Sequence, residues 1–376
     1  MFFYSIFCIL WILSFWEIFF KYGKIEKRIL NRLVVLLSIA ISSIRNGPIG
    51  DFDSYRQVFL DTNVSINPLK SMFLINSHAT EPLYNLMNYC TKIIFNDFRA
   101  FIVFEAIFVN VILYTFCMKI QWYDKRRDYT ITFFWIVWSL GLYNIIIIRQ
   151  TLACVVCWMS IRYMKEKNIF KFIGYSIVAT MIHRSALLWL PAYYIYQTDT
   201  ITSKQRISYY LKIIVGTFAL VVLLKVSVSI LPGIFGSKMA RYIRLGLYSG
   251  GQAYSVWLLL VKSIANICVI ILFISSLYKI NKNNEVFRGY CNLYLCGAGI
   301  VVASTFLSNA LARLATPYSM LSAFIIIYFF ENNTKLHTKL QNRFNSFLLI
   351  SLYLALRLYT YINGYNLFAT GYPTML

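Results

Sequence analysis

The chain has 376 residues, of which 59% are hydrophobic and 13% charged, and its formal net charge is +22 at neutral pH. Soluble domains carry about 25% charged residues, so this composition excludes an ordinary soluble enzyme. Long unbroken apolar runs exclude a membrane β-barrel, whose strands alternate in polarity, and Lys and Arg beside those runs indicate topology rather than nucleic-acid binding. The predicted fold class is all-α, a single polytopic integral membrane domain over residues 1–376.

Apolar runs of about 15–25 residues predict about twelve transmembrane helices. The first run lacks a basic start and a cleavage site, so we expect a retained span rather than a signal peptide. The pair 169–182 and 184–197 is short, which predicts helices that are tilted or broken around His183. The runs lie near residues 2–20, 30–44, 99–118, 130–147, 149–164, 169–182, 184–197, 209–230, 254–278, 287–307, 311–330 and 344–361.

The loops between these runs set the predicted orientation, because cytoplasmic loops carry an excess of Lys and Arg. Six basic loops alternate correctly if all are cytoplasmic and if segment 82–96 does not cross the membrane. That segment is therefore predicted to be an amphipathic or re-entrant helix, rather than a thirteenth span. It lies in the extra-cytoplasmic loop 45–98, and a second such loop covers 231–253. The basic loops are 21–28, 119–128, 162–171, 198–208, 279–288 and 331–343.

The first extra-cytoplasmic loop opens with a turn rich in glycine, followed by Asp51 and Asp53. Two such carboxylates are suited to hold a divalent cation, to accept a proton or to bind sugar hydroxyls, and these alternatives stay open. Asp53 is equally suited to cap the helix that follows. Glu81, before Pro82, is typical of a helix start.

Cations on the predicted outer face are the strongest functional signal, because ionisable residues at a membrane are costly. Arg149 follows an isoleucine run with almost no polar loop, so its guanidinium is placed to bind phosphate oxygens in a bidentate manner. The alternative is contact with lipid headgroups. Arg241 and Arg244 share one face of a predicted helix, with Tyr248 one turn further, and a surface helix on anionic lipid is the alternative. Arg313 is interpreted as either an anchor or a ligand.

His183-Arg184-Ser185 interrupts the next outer turn in the same way. A histidine there is either a hydrogen-bonded structural residue or a proton-transfer group, since its ordinary pKa is close to neutral. Because it lies on the same predicted side as Asp51 and Arg149, we take His183 and Asp51 as the candidate catalytic residues.

The sequence lacks the motifs of several common enzyme classes. Walker A, G-x-G-x-x-G before a helix, G-x-S-x-G and H-E-x-x-H motifs do not occur. No cofactor is predicted, so any activated group must arrive on the substrate. Cys154 and Cys157 form a C-x-x-C pattern inside an apolar helix, which favours core packing over redox or zinc chemistry.

Four short motifs resemble those of the EpsG-like branch of bacterial polysaccharide polymerases, which are the Wzy-type O-antigen and capsule polymerases. The resemblance covers about residues 40–320. Its motifs are G-D-x-x-x-Y at 50–55, Glu81-Pro82, I-R-Q-x-x-A at 148–153 and H-x-S-A at 183–186.

The resemblance implies a multi-pass protein of the bacterial inner (plasma) membrane. Its substrate would be an undecaprenyl-pyrophosphate-linked oligosaccharide, whose glycan chain is transferred to a sugar hydroxyl of the incoming lipid-linked repeat at the periplasmic face. Membrane lipid and a chain-length regulator protein are the other implied partners, and no nucleic acid is expected. The implied pyrophosphate ligands are Arg149, Arg241, Arg244 and Arg313, and the glycan ligands are Asp53, Tyr55, Glu81, Gln150 and Tyr248.

The resemblance implies no metal, although the second carboxylate of the Asp51–Asp53 pair departs from the family motif and leaves a metal role open. Two other functions are kept as alternatives. A flippase or exporter of lipid-linked oligosaccharide should carry its charges near the bilayer midplane and show internal repeats, whereas the candidates here lie at the outer surface. An O-antigen ligase uses the same donor, and the sequence does not separate it from a polymerase.

Overall fold

A computed structural model gives the architecture, and every regular element in the ranges it describes is a helix, which confirms the all-α class. The contacts divide the chain into two compact units, Met1–Leu187 with Asn333–Leu376, and Leu188–Asn332. Each unit is described by itself. The described residues are 2–20, 23–44, 52–73, 81–123, 129–141, 148–230, 256–281, 283–305, 313–335 and 340–364.

The first unit is built around long apolar helices with a group of short ones before them. Helix α1 packs against α7, which also packs against α2 and α17, while α6 packs against α2 and α8. Its α-helices are α1 Phe2–Phe19, α2 Lys24–Ser43, α3 Phe52–Asp61, α4 Pro68–Phe73, α5 Pro82–Phe95, α6 Phe98–Tyr123, α7 Thr130–Gly141, α8 Ile148–Met159, α9 Ile161–Lys165, α10 Ile169–Ile182 and α17 Leu340–Gly364.

The start of α7 is capped by a carboxylate from another helix. Glu17 of α1 is fully buried and accepts hydrogen bonds from the backbone N–H groups of Ile131 (3.2 Å) and Thr132 (2.8 Å). It also accepts one from the Thr132 hydroxyl at 2.7 Å, and the Lys27 ammonium lies 3.7 Å away. The first N–H groups of a helix have no partner within the helix, so this carboxylate satisfies them where water is excluded.

Helices α3, α4 and α5 form a compact group beside α6. Helix α5 ends at Asn96, whose left-handed φ of 48° lets the chain turn directly into α6. The Lys92 ammonium donates to the carbonyl oxygens of Leu60 (2.6 Å) and Thr62 (2.8 Å), which ties α5 to the end of α3. Segment 82–96 thus contains the helix α5, and its predicted place outside the membrane stays a prediction.

The second unit packs its helices around α14. Helices α11, α12, α13 and α15 all contact α14, and a buried polar cluster joins Thr200 to the Tyr278 hydroxyl (2.6 Å) and to the Asn292 amide oxygen (3.1 Å). Its α-helices are α11 Ala192–Gln197, α12 Ser203–Ile230, α13 Val256–Asn281, α14 Glu285–Thr305, α15 Thr316–Ser319 and α16 Ser322–Lys335, which ends three residues beyond the boundary of the unit.

Within the described residues, three predicted spans are not continuous α-helices, and the first of them, 149–164, is divided at Ser160 into α8 and α9. Segment 184–197 consists of a 3₁₀ helix, Arg184–Trp189, and α11, with Pro191 at the break, where a residue without an N–H starts the next helix. Segment 311–330 contains the 3₁₀ helix Arg313–Ala315, then α15 and α16. In the described ranges, two helical segments are long and apolar enough to cross a membrane by length and composition, Phe98–Met118 and Glu285–Ala303. The count of twelve spans therefore stays a prediction.

Candidate functional site

The ends of three helices meet at the Glu81 carboxylate. Glu81 directly precedes α5, Arg149 is the second residue of α8, and Arg184 follows the end of α10. The Glu81 Oε2 atom lies 3.2 Å from Arg149 Nη1, and its Oε1 atom accepts the backbone N–H of Arg184 at 3.2 Å. Since the Glu81 side chain is only 8% exposed, its charge is compensated by these donors rather than by bulk water.

Two tyrosine rings hold the Arg149 guanidinium. Its central carbon lies 5.3 Å from the ring centroid of Tyr55 and 5.4 Å from that of Tyr84. The positive charge is attracted to the electron-rich faces of both rings, so the rings help to hold the guanidinium in position. The Arg149 side chain is 20% exposed, and its Nε atom is buried. Arg149 is therefore an oriented, largely enclosed cation.

The tyrosines are in turn fixed by an aromatic cluster. Tyr84 is fully buried and packs edge-on against Phe101 of α6 at 5.6 Å, and Tyr55 packs against Tyr84 at 6.4 Å. Burial raises the pKa of the Tyr84 phenol well above its usual range, and the Arg149 charge only partly opposes this. Tyr84 therefore stays a neutral phenol whose ring face is available to the guanidinium.

His183 ends α10 in an extended conformation and bonds to its own turn. Its Nδ1 atom accepts the backbone N–H of Ser185 at 3.1 Å and lies 2.8 Å from the Ser185 hydroxyl. Because a backbone N–H can only donate, Nδ1 carries no proton, and the neutral ring carries its proton on Nε2. The ring nitrogen that faces away from this turn is thus a donor in the neutral form.

The structure brings four of the predicted site residues into one neighbourhood. Arg149 contacts both Tyr55 and Glu81, and Glu81 also binds the residue after His183. Gln150 is buried beside Arg149, whereas Asp53 is exposed in the first turn of α3. Arg313 starts a short 3₁₀ helix of the other unit. Asp51, Arg241, Arg244 and Tyr248 lie outside the described residues.

Two participants were not assigned a role from the sequence. The sequence predicts Tyr84 only as part of an amphipathic helix, although it lies in the first turn of the helix that Glu81 precedes. Arg184 belongs to the turn that was singled out, but the imidazole beside it carried the functional interpretation. Within the described ranges, no three His, Cys, Asp or Glu side chains lie together as metal ligands. Cys154 and Cys157 are buried and free, as core packing predicts.

A family model, described as the EpsG family, matches residues 28–372. The chain belongs to the EpsG family. This agrees with the resemblance seen in the four motifs, and every described site residue lies inside the matched range. A search of curated proteins and a search of solved structures found no match. EpsG family membership, together with the apolar helices, indicates a membrane protein with a polysaccharide polymerase-like role.

Proposed function

We propose that this EpsG family protein is a lipid-carrier-dependent glycosyltransferase that polymerises a bacterial surface polysaccharide. Its substrate is an undecaprenyl-pyrophosphate-linked glycan, and the acceptor is a sugar hydroxyl of the incoming lipid-linked repeat at the outer face of the inner membrane. The observation that carries the proposal is the group formed by Glu81, Arg149 and Arg184. Because Arg184 contacts Glu81 only through its backbone, the charge of its guanidinium is not paired with that carboxylate, and this favours an anionic ligand.

The depth of this group supports a membrane-bound substrate. Helix α10 has 14 residues, which corresponds to a length of about 21 Å, whereas the hydrocarbon core of a bilayer is about 30 Å thick. If its lysine-bearing start lies at the cytoplasmic surface, its other end lies about 9 Å short of the outer surface. A cation just below the outer surface is reached most readily by a ligand that the membrane itself holds, such as a lipid-linked pyrophosphate.

The proposed reaction needs little from the protein besides charge and alignment. The bond between the anomeric carbon and the pyrophosphate oxygen breaks, and the same carbon bonds to the acceptor oxygen, whose proton passes to a base. Guanidinium groups stabilise the charge that develops on the departing pyrophosphate. Alignment of two lipid-linked substrates supplies the remaining rate enhancement.

The sequence supports Asp51 as the base. The hydrogen bonds of His183 argue against a base at that position. In a histidine that acts as a base, the nitrogen facing the substrate must lack a proton. The Nδ1 atom of His183 is engaged by Ser185, so the outward nitrogen is the protonated one. We therefore favour Asp51 as the base and propose that His183 holds the turn.

Reconstitution tests the proposal directly. The purified protein in liposomes is supplied with lipid-linked repeat units, and we expect products of two or more repeats with one undecaprenyl pyrophosphate released for each new bond. Arg149→Ala should abolish elongation, whereas Arg162→Ala, which removes an exposed arginine paired with Glu166, should not. Transport of the substrate across the bilayer without elongation would instead identify a flippase. Transfer only to a lipid A-core acceptor would identify a ligase.

A further inference from the structure

We infer that Arg184, rather than Arg149, makes the direct contact with the phosphate groups of the lipid-linked substrate, and that Arg149 is a positioning residue. This inference rests on the proposed function and names the ligand of its central charge. It changes the assignment that the sequence alone favours, where Arg149 is the phosphate ligand and Arg184 is only one of the cations on the predicted outer face.

The positive charge that Glu81 does not neutralise lies on Arg184. The Glu81 carboxylate is 3.2 Å from the Arg149 guanidinium, so these two charges largely cancel each other as an ion pair. What Arg184 gives to the same carboxylate is its backbone N–H, not its side chain. The uncancelled positive charge of the group is therefore the Arg184 guanidinium.

The Arg184 guanidinium is accessible to a ligand, whereas the Arg149 guanidinium is largely enclosed. Arg149 is enclosed by the rings of Tyr55 and Tyr84, and its Nε atom is buried. The Arg184 side chain is exposed, and among the residues that the structure describes none contacts it through a hydrogen bond or ion pair. Its five N–H donors are thus available, and a phosphate group can accept two of them in parallel.

The exposed Arg184 side chain starts from a backbone that is held in place on both sides. The backbone of Arg184 is fixed by its bond to Glu81, and the preceding residue is fixed by the bond from Ser185 to the His183 ring. The Arg149–Glu81 pair therefore determines where the Arg184 side chain begins. This gives Arg149 an effect on substrate binding that acts through Glu81 and the turn, without contact with the ligand.

Binding measurements on the full-length protein test the inference. The protein is placed in nanodiscs of phosphatidylcholine, which carry no net charge, and titrated with undecaprenyl pyrophosphate, inorganic pyrophosphate and undecaprenol. We expect Arg184→Ala to weaken undecaprenyl pyrophosphate binding about tenfold or more, because a charge-assisted hydrogen bond is lost. Its melting temperature and its affinity for undecaprenol should match the parent. Arg184→Lys should recover only part of the affinity, since an ammonium cannot bind two oxygens in the same manner.

The control and positioning variants separate the alternatives. Arg162→Ala removes an exposed arginine elsewhere and should bind like the parent. The double variant Glu81→Gln with Arg149→Met removes the ion pair without leaving a single charge, and it should keep more of the pyrophosphate affinity than Arg184→Ala does. Equal loss of inorganic and lipid-linked pyrophosphate in Arg184→Ala indicates contact with the phosphates themselves. Loss of the lipid-linked form alone indicates that the lipid is needed to bring the phosphate to Arg184.

Three results would overturn the inference. If Arg184→Ala binds undecaprenyl pyrophosphate as tightly as the parent does, and the parent elongates the glycan, Arg184 is not the ligand and the proposed function stands. If undecaprenol binding falls as much as undecaprenyl pyrophosphate binding in a variant that melts at the parent's temperature, Arg184 does not act through the phosphate groups. If the parent protein binds no pyrophosphate and extends no glycan, the inference and the proposed function fail together.

Discussion

The Glu81 Oε2 atom and the Arg149 Nη1 atom lie 3.2 Å apart, although 68 residues separate them in the sequence. The same carboxylate receives the backbone N–H of Arg184, a further 35 residues along. One acidic side chain therefore joins the ends of α5, α8 and α10. Any change at Glu81 alters two cations at once, and this makes it the most informative position to substitute.

Glu81→Gln should destabilise the protein and reduce polymer synthesis. The variant leaves the partly enclosed Arg149 charge without a compensating anion, and the expected loss is about 1–3 kcal/mol in the free energy of unfolding. Thermal unfolding in detergent measures it. The matched control is Glu166→Gln, which breaks the exposed pair with Arg162 and should cost about 0.5 kcal/mol or less. Equal losses in the two variants would show that the Glu81–Arg149 pair stabilises nothing.

His183→Asn distinguishes a base from a hydrogen-bonding residue at the end of α10. The asparagine oxygen can accept the Ser185 N–H as the Nδ1 atom does, but an amide cannot take up a proton at neutral pH. We expect the asparagine variant to keep most of the elongation rate and His183→Ala to lose more. A fall of about 10²–10⁴-fold in His183→Asn would restore the histidine as the general base.

Gly297→Ala should destabilise the second unit, because an added methyl group would collide with Tyr318. A Cβ atom at position 297 would overlap the Cβ of Tyr318 and lie 3.1 Å from the Ser319 nitrogen. Since backbone cannot yield as a flexible side chain can, α14 and α15 would have to separate. Gly174→Ala is the control, as nothing lies within 4 Å of its added Cβ. It should be neutral or stabilising by about 1 kcal/mol.

Labelling of native Cys90 tests the predicted orientation. Cys90 is exposed on α5, which the basic loops place outside, so a membrane-impermeant maleimide should modify it in intact spheroplasts when the other seven cysteines are serine. Lys165→Cys, in the predicted cytoplasmic loop, should react only after permeabilisation in a background without Cys90. The reverse pattern would invert the topology and place Glu81 near the cytoplasm.

Helix positions could be predicted where an apolar run is bounded by charge. Residues 169–182 were predicted as a run and form a helix with the same ends, because Lys171 and the residues before it mark one limit and His183 marks the other. The segment from 184 to 197 could not be resolved in this way. Its apolar composition suits any helix, while Pro191 and the contacts of Ala192 and Tyr196 decide where the chain breaks.

The site was predictable as a set of residues but not as a set of partners. The cost of a charge at a membrane identified Arg149 and the His183 turn from sequence alone. The pairing of Arg149 with Glu81, and its enclosure by Tyr55 and Tyr84, depends on how α3, α5 and α8 pack. Because no local pattern encodes contacts across 65 residues or more, the distinction between an enclosed cation and an exposed one required the fold.

The capping of α7 by Glu17 has a consequence for the order in which the protein is assembled. The Glu17 carboxylate is synthesised 114 residues before Ile131, whose N–H group it binds. Helix α1 must therefore stay close to the place where α7 is inserted until α7 has been made. Lys27 is made only ten residues after Glu17 and lies 3.7 Å from its carboxylate, which provides a counter-charge during that interval. A chain shortened by its first helix would therefore deliver α7 to the membrane with its leading N–H groups deprived of this acceptor.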